Sequence, residues 1–264
     1  MAKRSFWSQL RLLLLVVLLL IVSLNSWLSR VRSTDWQEPL WVAIYPINAD
    51  QRADTQLFLD ALQDEHFDEI EEFFNRESSR YGVTLDQPLQ VFLAPEVMGQ
   101  PPKPPVQASI LDSVIWSLKL RYWAWGNDNW NQPSSPDIKI YVRLFSPINQ
   151  QVLEHSMGLQ KGMIGVVNGF SSIDYQAQNN FVTVHEILHT LGASDKYDVT
   201  NGQPVWPEGY ADPYQDPLLP QYRAEVMGGR VPQSQGFALI PSSLKQVVVG
   251  PKTASEINWL FLKD

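Results

Sequence analysis

A chain of 264 residues holds one domain of ordinary to generous size beside a short N-terminal segment. Its 44% hydrophobic and 18% charged residues describe a globular protein and exclude a disordered one. The net charge of −8 argues against a nucleic-acid partner, and the absence of cysteine excludes disulfides, thiolate metal sites and a cysteine nucleophile.

Lys3, Arg4 and Arg11 precede an apolar run from Leu12 to Leu24, which continues through Trp27 and Leu28 and is closed by Arg30 and Arg32. Basic residues ahead of an apolar segment predict a transmembrane signal-anchor over residues 12–28. On that reading residues 1–11 are cytoplasmic, 29–39 form a linker, and the rest lies on the outer side of a membrane, the periplasm in a Gram-negative bacterium. No pair of small residues marks a cleavage site around Ser23 to Ser26, so an anchor is preferred to a cleaved signal and a secreted product.

Trp41 to Tyr45, ended by Pro46, reads as a first strand. Asp54 to Arg80 carries apolar residues at helical spacing with acids between them, and His66 sits among those acids as a solvated residue. Leu89 to Leu93 is a second strand, and the prolines from Pro101 to Pro105 form an extended spacer. Ala108 to Trp125 reads as an aromatic-rich helix, with Trp123, Trp125 and Trp130 as packing residues. Asp137 to Phe145 is the cleanest strand. Gly162 to Asn168 is a further one, placed at a sheet edge by its glycines, and His155 lies in the connector between them. The order predicts one α/β domain with a mixed sheet.

Asn179 to Gly192 reads as a helix, with Asn179 or Asn180 as its cap and Gly192 as its left-handed end. On it His185 and His189 stand four apart, so both imidazoles leave one face about one turn from each other. That spacing lets two ring nitrogens reach one Zn²⁺, with Glu186 beside the first as general base for a metal-activated water. The bland alternative is a pair of core or surface histidines beside a helical glutamate. A third ligand has to come from elsewhere. Asp195 can return to the metal if the chain turns back after Gly192, with Asp198, Glu208 and Glu225 as fallbacks.

The pattern His185-Glu-x-x-His189-x-x-Gly192-x-x-Asp195 resembles the metzincin zinc signature, with aspartate where most members carry a third histidine. In that respect it is similar to the snapalysin-type branch. Glu225-Val-Met227-Gly-Gly229 resembles the metzincin Met-turn, which implies that Met227 packs beneath the site and is no ligand. The resemblance implies a metzincin-like α+β fold: a mixed twisted sheet, a long backing helix, an active-site helix and a small C-terminal subdomain. The upper part would span 40–192 and the lower part 193–264, closed by a helix in Ser242 to Leu262. Several metzincins place a transition-state tyrosine two residues after the methionine; here that residue is Gly229. Tyr197 is the first replacement candidate and Tyr222 the second. The specific residues lie between His185 and Gly229, and the first 130 residues carry no resemblance.

These readings predict a zinc metallopeptidase acting on a protein or peptide substrate, laid extended against the Gly162 to Asn168 edge. The alternatives are a membrane-anchored binding protein with a structural zinc and a cell-wall amidase using the same site. The proline- and aspartate-rich stretch from Asn201 to Gln221 reads as a functional loop. Its Asp212 and Asp216 match no known calcium-site spacing. Oligomeric state is not legible.

Overall fold

The nine residues Leu40–Asn48 are apolar almost throughout and buried on both faces, as a central strand of a parallel sheet requires. This strand, β1, pairs in parallel with β2 (Leu89–Leu93) on one side and with β3 (Ile138–Phe145) on the other. β3 pairs in parallel with β5 (Ile164–Phe170), and β4 (Met157–Leu159) closes the order β2-β1-β3-β5-β4 as an antiparallel edge. A computed structural model supplies these coordinates. It describes residues 33–260 apart from 106–108, 131–134, 149–152, 154–155 and 160–162, and before residue 33 only positions 10, 11, 13, 16 and 17.

The protein is therefore mixed α/β with a mixed sheet, as the element order predicts, but several details differ. β1 runs through Pro46 instead of ending there. The Pro46 carbonyl accepts from the Val97 amide at 3.0 Å, on the β2 side and beyond the end of β2 at Leu93. The donor that proline lacks thus falls where no ladder continues. The predicted Gly162 to Asn168 edge is also corrected. That strand is interior, because β4 lies outside it. Just past that segment, still within β5, Gly169 serves close packing: a Cβ there would come within 2.6 Å of the Asn179 side chain.

The alternation of β1 divides the core. Val42 and Ile44 face one side with Phe73, Phe74, Val184 and Leu188. Ala43, Tyr45 and Ile47 face the other, with Tyr141, Leu120 and Ala124. Helix α3 (Ile110–Gly126) covers the second face, started by a Ser109–Asp112 capping box. Trp123 packs edge-on against Tyr141 at 4.8 Å and Trp130 meets Phe92, whereas Trp125 points outward and is 75% exposed.

The first face holds what was expected as one helix from Asp54 to Arg80. It is instead α1 (Ala53–Asp60), a 3₁₀ turn (Asp64–Phe67) and α2 (Asp68–Tyr81). Local caps win over helical continuity here. Gln63 and His66 bond each other's ends of the 3₁₀ turn, and the Asp64 carboxylate accepts from the Leu93 amide at 2.6 Å. The acids of α2 are not all solvated. Glu77 is buried and accepts from the Val249 amide, while Glu69 accepts from Leu244 and Glu71 from Val91.

The segment Ser242 to Leu262 is not one closing helix. It forms a 3₁₀ turn, a two-residue strand (Val247–Val248) and only then a short helix, Pro251–Glu256. Pro251 fits the first turn of a helix and forbids its extension backward, and the β-branched run before it pairs with Ala224–Glu225. Trp259 then fills the core, in ring contact with Phe74 and Trp36. Trp36 falls in the stretch read as a linker, yet it is buried and its indole donates to the Ile257 carbonyl at 2.7 Å.

The transmembrane anchor is corrected. Among the described residues no helix is long and apolar enough to cross a membrane, so a single-pass anchor with the domain on the outer side has no support. The uninterrupted apolar run is short: Leu12 to Leu24 is 13 residues, about 20 Å of helix against a hydrocarbon core of about 30 Å, and only the polar-interrupted extension to Leu28 brings it to the lower limit for spanning. Most of residues 12–28 lies outside the described residues.

Candidate metal centre

Helix α4 (Gln176–Leu191) carries the motif. It begins three residues before Asn179, after a 3₁₀ turn, so the predicted asparagine cap is corrected. Both asparagines are buried and act sideways. Asn179 bonds the amide and carbonyl of Phe170 at 3.1 and 2.9 Å, and Asn180 donates to the His66 carbonyl at 2.9 Å. These bonds fix the roll of α4 against β5 and the 3₁₀ turn. Gly192 ends the helix at φ 110°, a left-handed conformation that costs a side-chain-bearing residue. The chain thereby turns back toward the helix it has just left.

That reversal brings Asp195 to the histidines. The imidazoles of His185 and His189 lie 4.7 Å apart, edge to face. His185 Nδ1 bonds the Val226 carbonyl and His189 Nδ1 the Ala193 carbonyl, each at 2.9 Å. Because a carbonyl only accepts, both Nδ1 atoms carry protons and both Nε2 atoms are left with lone pairs in the neutral rings. Each Nε2 stands 3.1 Å from the same oxygen, Asp195 Oδ1. Three acceptors converging on one point require a cation or added protons. Burial works against charge on His185, yet the Asp195 bond and nearby Glu186 raise its pKa. Burial likewise works against the Asp195 carboxylate, but the two histidines outweigh it and hold the group well below the usual carboxylate range. The three ligand atoms lie within 4.8 Å of one another, the only such His/Asp/Glu group among the described residues.

Glu186 is buried, and its Oε2 has no hydrogen-bond partner. Burial pushes its pKa up to about 6 against the pull of both histidines. A buried, unsatisfied carboxylate oxygen beside a convergent ligand set is costly to keep and is what a proton-transfer group needs. Tyr197 follows the turn, with its ring 6.3 Å from that of His185. Burial, then the nearby carboxylates of Asp195 and Glu186, push its pKa up to about 12, so the phenol stays protonated beside them. A Cβ built on Gly229 would lie 3.8 Å from the Tyr197 ring, in ordinary van der Waals contact, so the ring lies next to position 229.

The other sequence candidates lie elsewhere. Asp198 bonds Thr200 and Asn201, and Glu208 is exposed. Tyr222 is 76% exposed and Asp212 pairs with Arg223 instead of Asp216. His155 lies outside the described residues.

Glu225 is no ligand. It is fully buried and its two oxygens accept from the amides of Met227, Gly228 and Gly250 and from the Thr253 hydroxyl. It thereby shapes the turn through buried Met227, whose preceding carbonyl, that of Val226, holds His185. Sequence reading also missed Gly158. A Cβ there would come within 2.6 Å of the His189 Cβ and 2.7 Å of the Glu186 carbonyl, so only glycine lets β4 lie on the motif. A glycine inside a short apolar run was the available signal.

A third missed residue is Glu256. Its carboxylate accepts from the Ser194 amide and hydroxyl and from Lys196 Nζ, at 2.9–3.0 Å, gripping the chain on both sides of Asp195. Lys196 Nζ, nearly buried, also donates to the Ser194 carbonyl. Burial works against the Glu256 charge, but Lys196 and Ser194 outweigh it and its pKa is lowered. A group with a lowered folded pKa stabilises above its unfolded pKa, and that contribution fades as pH falls through the folded one. Glu256→Gln should therefore cost about 2 kcal/mol at pH 7 in urea unfolding. The gap to wild type should close as the pH drops below the ordinary glutamate range. A gap that is independent of pH would remove the ion pair from the account.

A cavity of about 260 Å³ opens beside the cluster, bounded by His185, Glu186, Phe181, Tyr197, Gly229 and Arg230. Comparison with protein-family models and with curated proteins finds no match. Among solved structures the chain is similar to one described as a chaperone-substrate complex, at 13% identity and a TM-score of 0.38, over 83% of this chain and 33% of that one. The chain thus spans a third of that neighbour's length, and a likeness at this level carries no argument about activity.

Proposed function

We propose that the chain is a zinc-dependent metallopeptidase of metzincin type. One observation carries the reading: two imidazole Nε2 atoms and a carboxylate oxygen converge on one point, with the unpartnered oxygen of Glu186 beside them. The donor set fits zinc. Both histidines have their tautomer fixed by a carbonyl at Nδ1, which is the usual support of a zinc-binding imidazole. Three protein ligands rather than four favour a catalytic over a structural ion, and Asp198, the residue that could close the sphere, is occupied in its own turn. Other features support the metzincin assignment: the antiparallel edge β4, the reversal at Gly192 and the turn around buried Met227.

His185, His189 and Asp195 would hold the zinc, which when bound polarises a carbonyl and acidifies water. Glu186, kept dry and near neutrality in pKa, takes the proton from water and returns it to the leaving amine. An extended peptide pairs with the free edge of β4, which Gly158 lets lie directly over Glu186. Tyr197 lines the cavity beside His185 and presents a protonated phenol near Asp195.

Metal analysis of the purified protein together with a peptide-library digest tests this. About one zinc per chain is expected, with cleavage lost on chelation and restored by zinc. Stoichiometric zinc without cleavage of any peptide, or cleavage indifferent to chelation, would sink the proposal.

A further inference from the structure

We propose that the cavity beside the metal centre selects substrates that place a carboxylate in it, and that Arg230 reads that carboxylate. This rests on the metallopeptidase reading and narrows it to a substrate class.

Arg230 follows directly on the turn that ends at Gly229, and its side chain lines the cavity together with Glu186. The residue is half-buried, and it makes no hydrogen bond or ion pair among the described residues. That is unusual in this chain. Arg52 sits against Asp54, Arg76 and Arg80 against Glu77, and Arg223 against Asp212. With 28 acidic residues against 20 basic ones, a carboxylate is easily found for a guanidinium that needs one. Arg230 is instead held at the cavity wall beside the turn at Gly202, where a Cβ would lie 3.7 Å from its Nε and Nη2.

The rest of the wall fixes what the guanidinium can meet. Phe181, Val182 and Ile240 are apolar, and Ser156, Asn168 and Gln178 are polar but uncharged, so a charged side chain that enters loses water and finds its counter-charge in Arg230. One guanidinium matches one carboxylate, and its planar fork can hold both oxygens. A dianionic phosphate would bring excess negative charge close to Glu186. An ammonium would be repelled by Arg230. A carboxylate in this position is either the side chain of an aspartate or glutamate next to the scissile bond or the C-terminus of the peptide itself.

The test uses the zinc-loaded full chain and two hydroxamates that share a metal-chelating head and an apolar spacer. One tail is a carboxylate and the other a carboxamide. The carboxylate should bind about tenfold more tightly at low salt. Arg230→Met should erase the difference with zinc content unchanged, and Arg230→Glu should turn the preference toward an amine-tailed analogue. Equal affinities in the wild type, or a preference that survives Arg230→Met, overturn the inference while leaving the metal centre intact. Digests of end-blocked peptides with internal Glu or Gln, and of acid-free peptides with free or amidated C-termini, identify which carboxylate is read. A carboxylate preference without cleavage of either set overturns the peptidase reading and leaves Arg230 as the reader of a carboxylate ligand. Absence of hydroxamate binding overturns both.

Discussion

Replacing Glu186 by alanine or glutamine should cut peptide hydrolysis by about 10³- to 10⁴-fold while zinc stays bound. The two halves of this expectation have separate causes. Zinc stays because the ligand set is His185, His189 and Asp195, and Glu186 is outside it. Hydrolysis falls because Asp195 is taken up as a ligand, and Glu186 is the other carboxylate that acts on His185. A third signature separates this role from a structural one. Glu186 is buried, its pKa is raised to about 6 by burial, and one of its oxygens is unsatisfied. A residue kept at such a cost lowers stability, so the alanine and glutamine variants should melt no lower than wild type. Activity retained to within tenfold, with zinc in place, would remove Glu186 from the chemistry.

The parts of this site that were legible in the sequence are those that local rules determine. His185, Glu186 and His189 are set by the pitch of one helix, and Gly192 marks the end of that helix through its own backbone freedom. Asp195 follows three residues later, so a single reversal suffices to place it. None of this needs knowledge of the rest of the chain. Most strands of the sheet were legible for the same reason, since Leu89 to Leu93 and the run ending at Phe145 are short, largely apolar segments with partial alternation.

What the sequence concealed is long-range. Glu225 reaches Thr253 across 28 residues, and Glu256 reaches Ser194 across 62. A carboxylate suits a metal, an ammonium or a set of amides equally well, so composition alone made Glu225 a fallback ligand. The edge strand was misplaced because β4 is three residues long, too short to leave a periodic signal. The helix from Asp54 to Arg80 was overextended because apolar spacing persists across the break, while the caps at Gln63 and His66 that interrupt it are side-chain choices. Arg230 could not be read as a functional residue at all. Its distinction is the lack of a partner, and partners are a property of the folded chain.

Glu225→Ala should be the most destabilising single substitution near the site, costing at least about 3 kcal/mol, from three stranded donors at about 1–3 kcal/mol each. The carboxylate sits at zero exposure. Met227 and Gly228 amides reach one oxygen at 2.7 and 2.8 Å; the Gly250 amide and Thr253 hydroxyl reach the other at 3.0 and 2.6 Å. Alanine leaves the Met227 and Gly250 amides and the Thr253 hydroxyl buried and unsatisfied, while the Gly228 amide keeps its bond to the backbone carbonyl of residue 225 at 3.0 Å; it also removes the negative partner that Lys196 faces from that side. Glutamine is no rescue, because its amide nitrogen would confront donors already aimed at one of the oxygens. Aspartate is too short to span both sets. Thr253→Val removes a single donor and should cost only about 1–2 kcal/mol, which calibrates the scale. Against a total stability of about 5–15 kcal/mol for a domain, the alanine change threatens the fold itself. Where the variant still folds, its zinc affinity should drop, since the Val226 carbonyl that fixes the His185 tautomer belongs to the turn Glu225 shapes. Denaturant unfolding of the two variants side by side decides the matter. A Glu225→Ala loss no larger than that of Thr253→Val would show that the turn holds its form without the carboxylate.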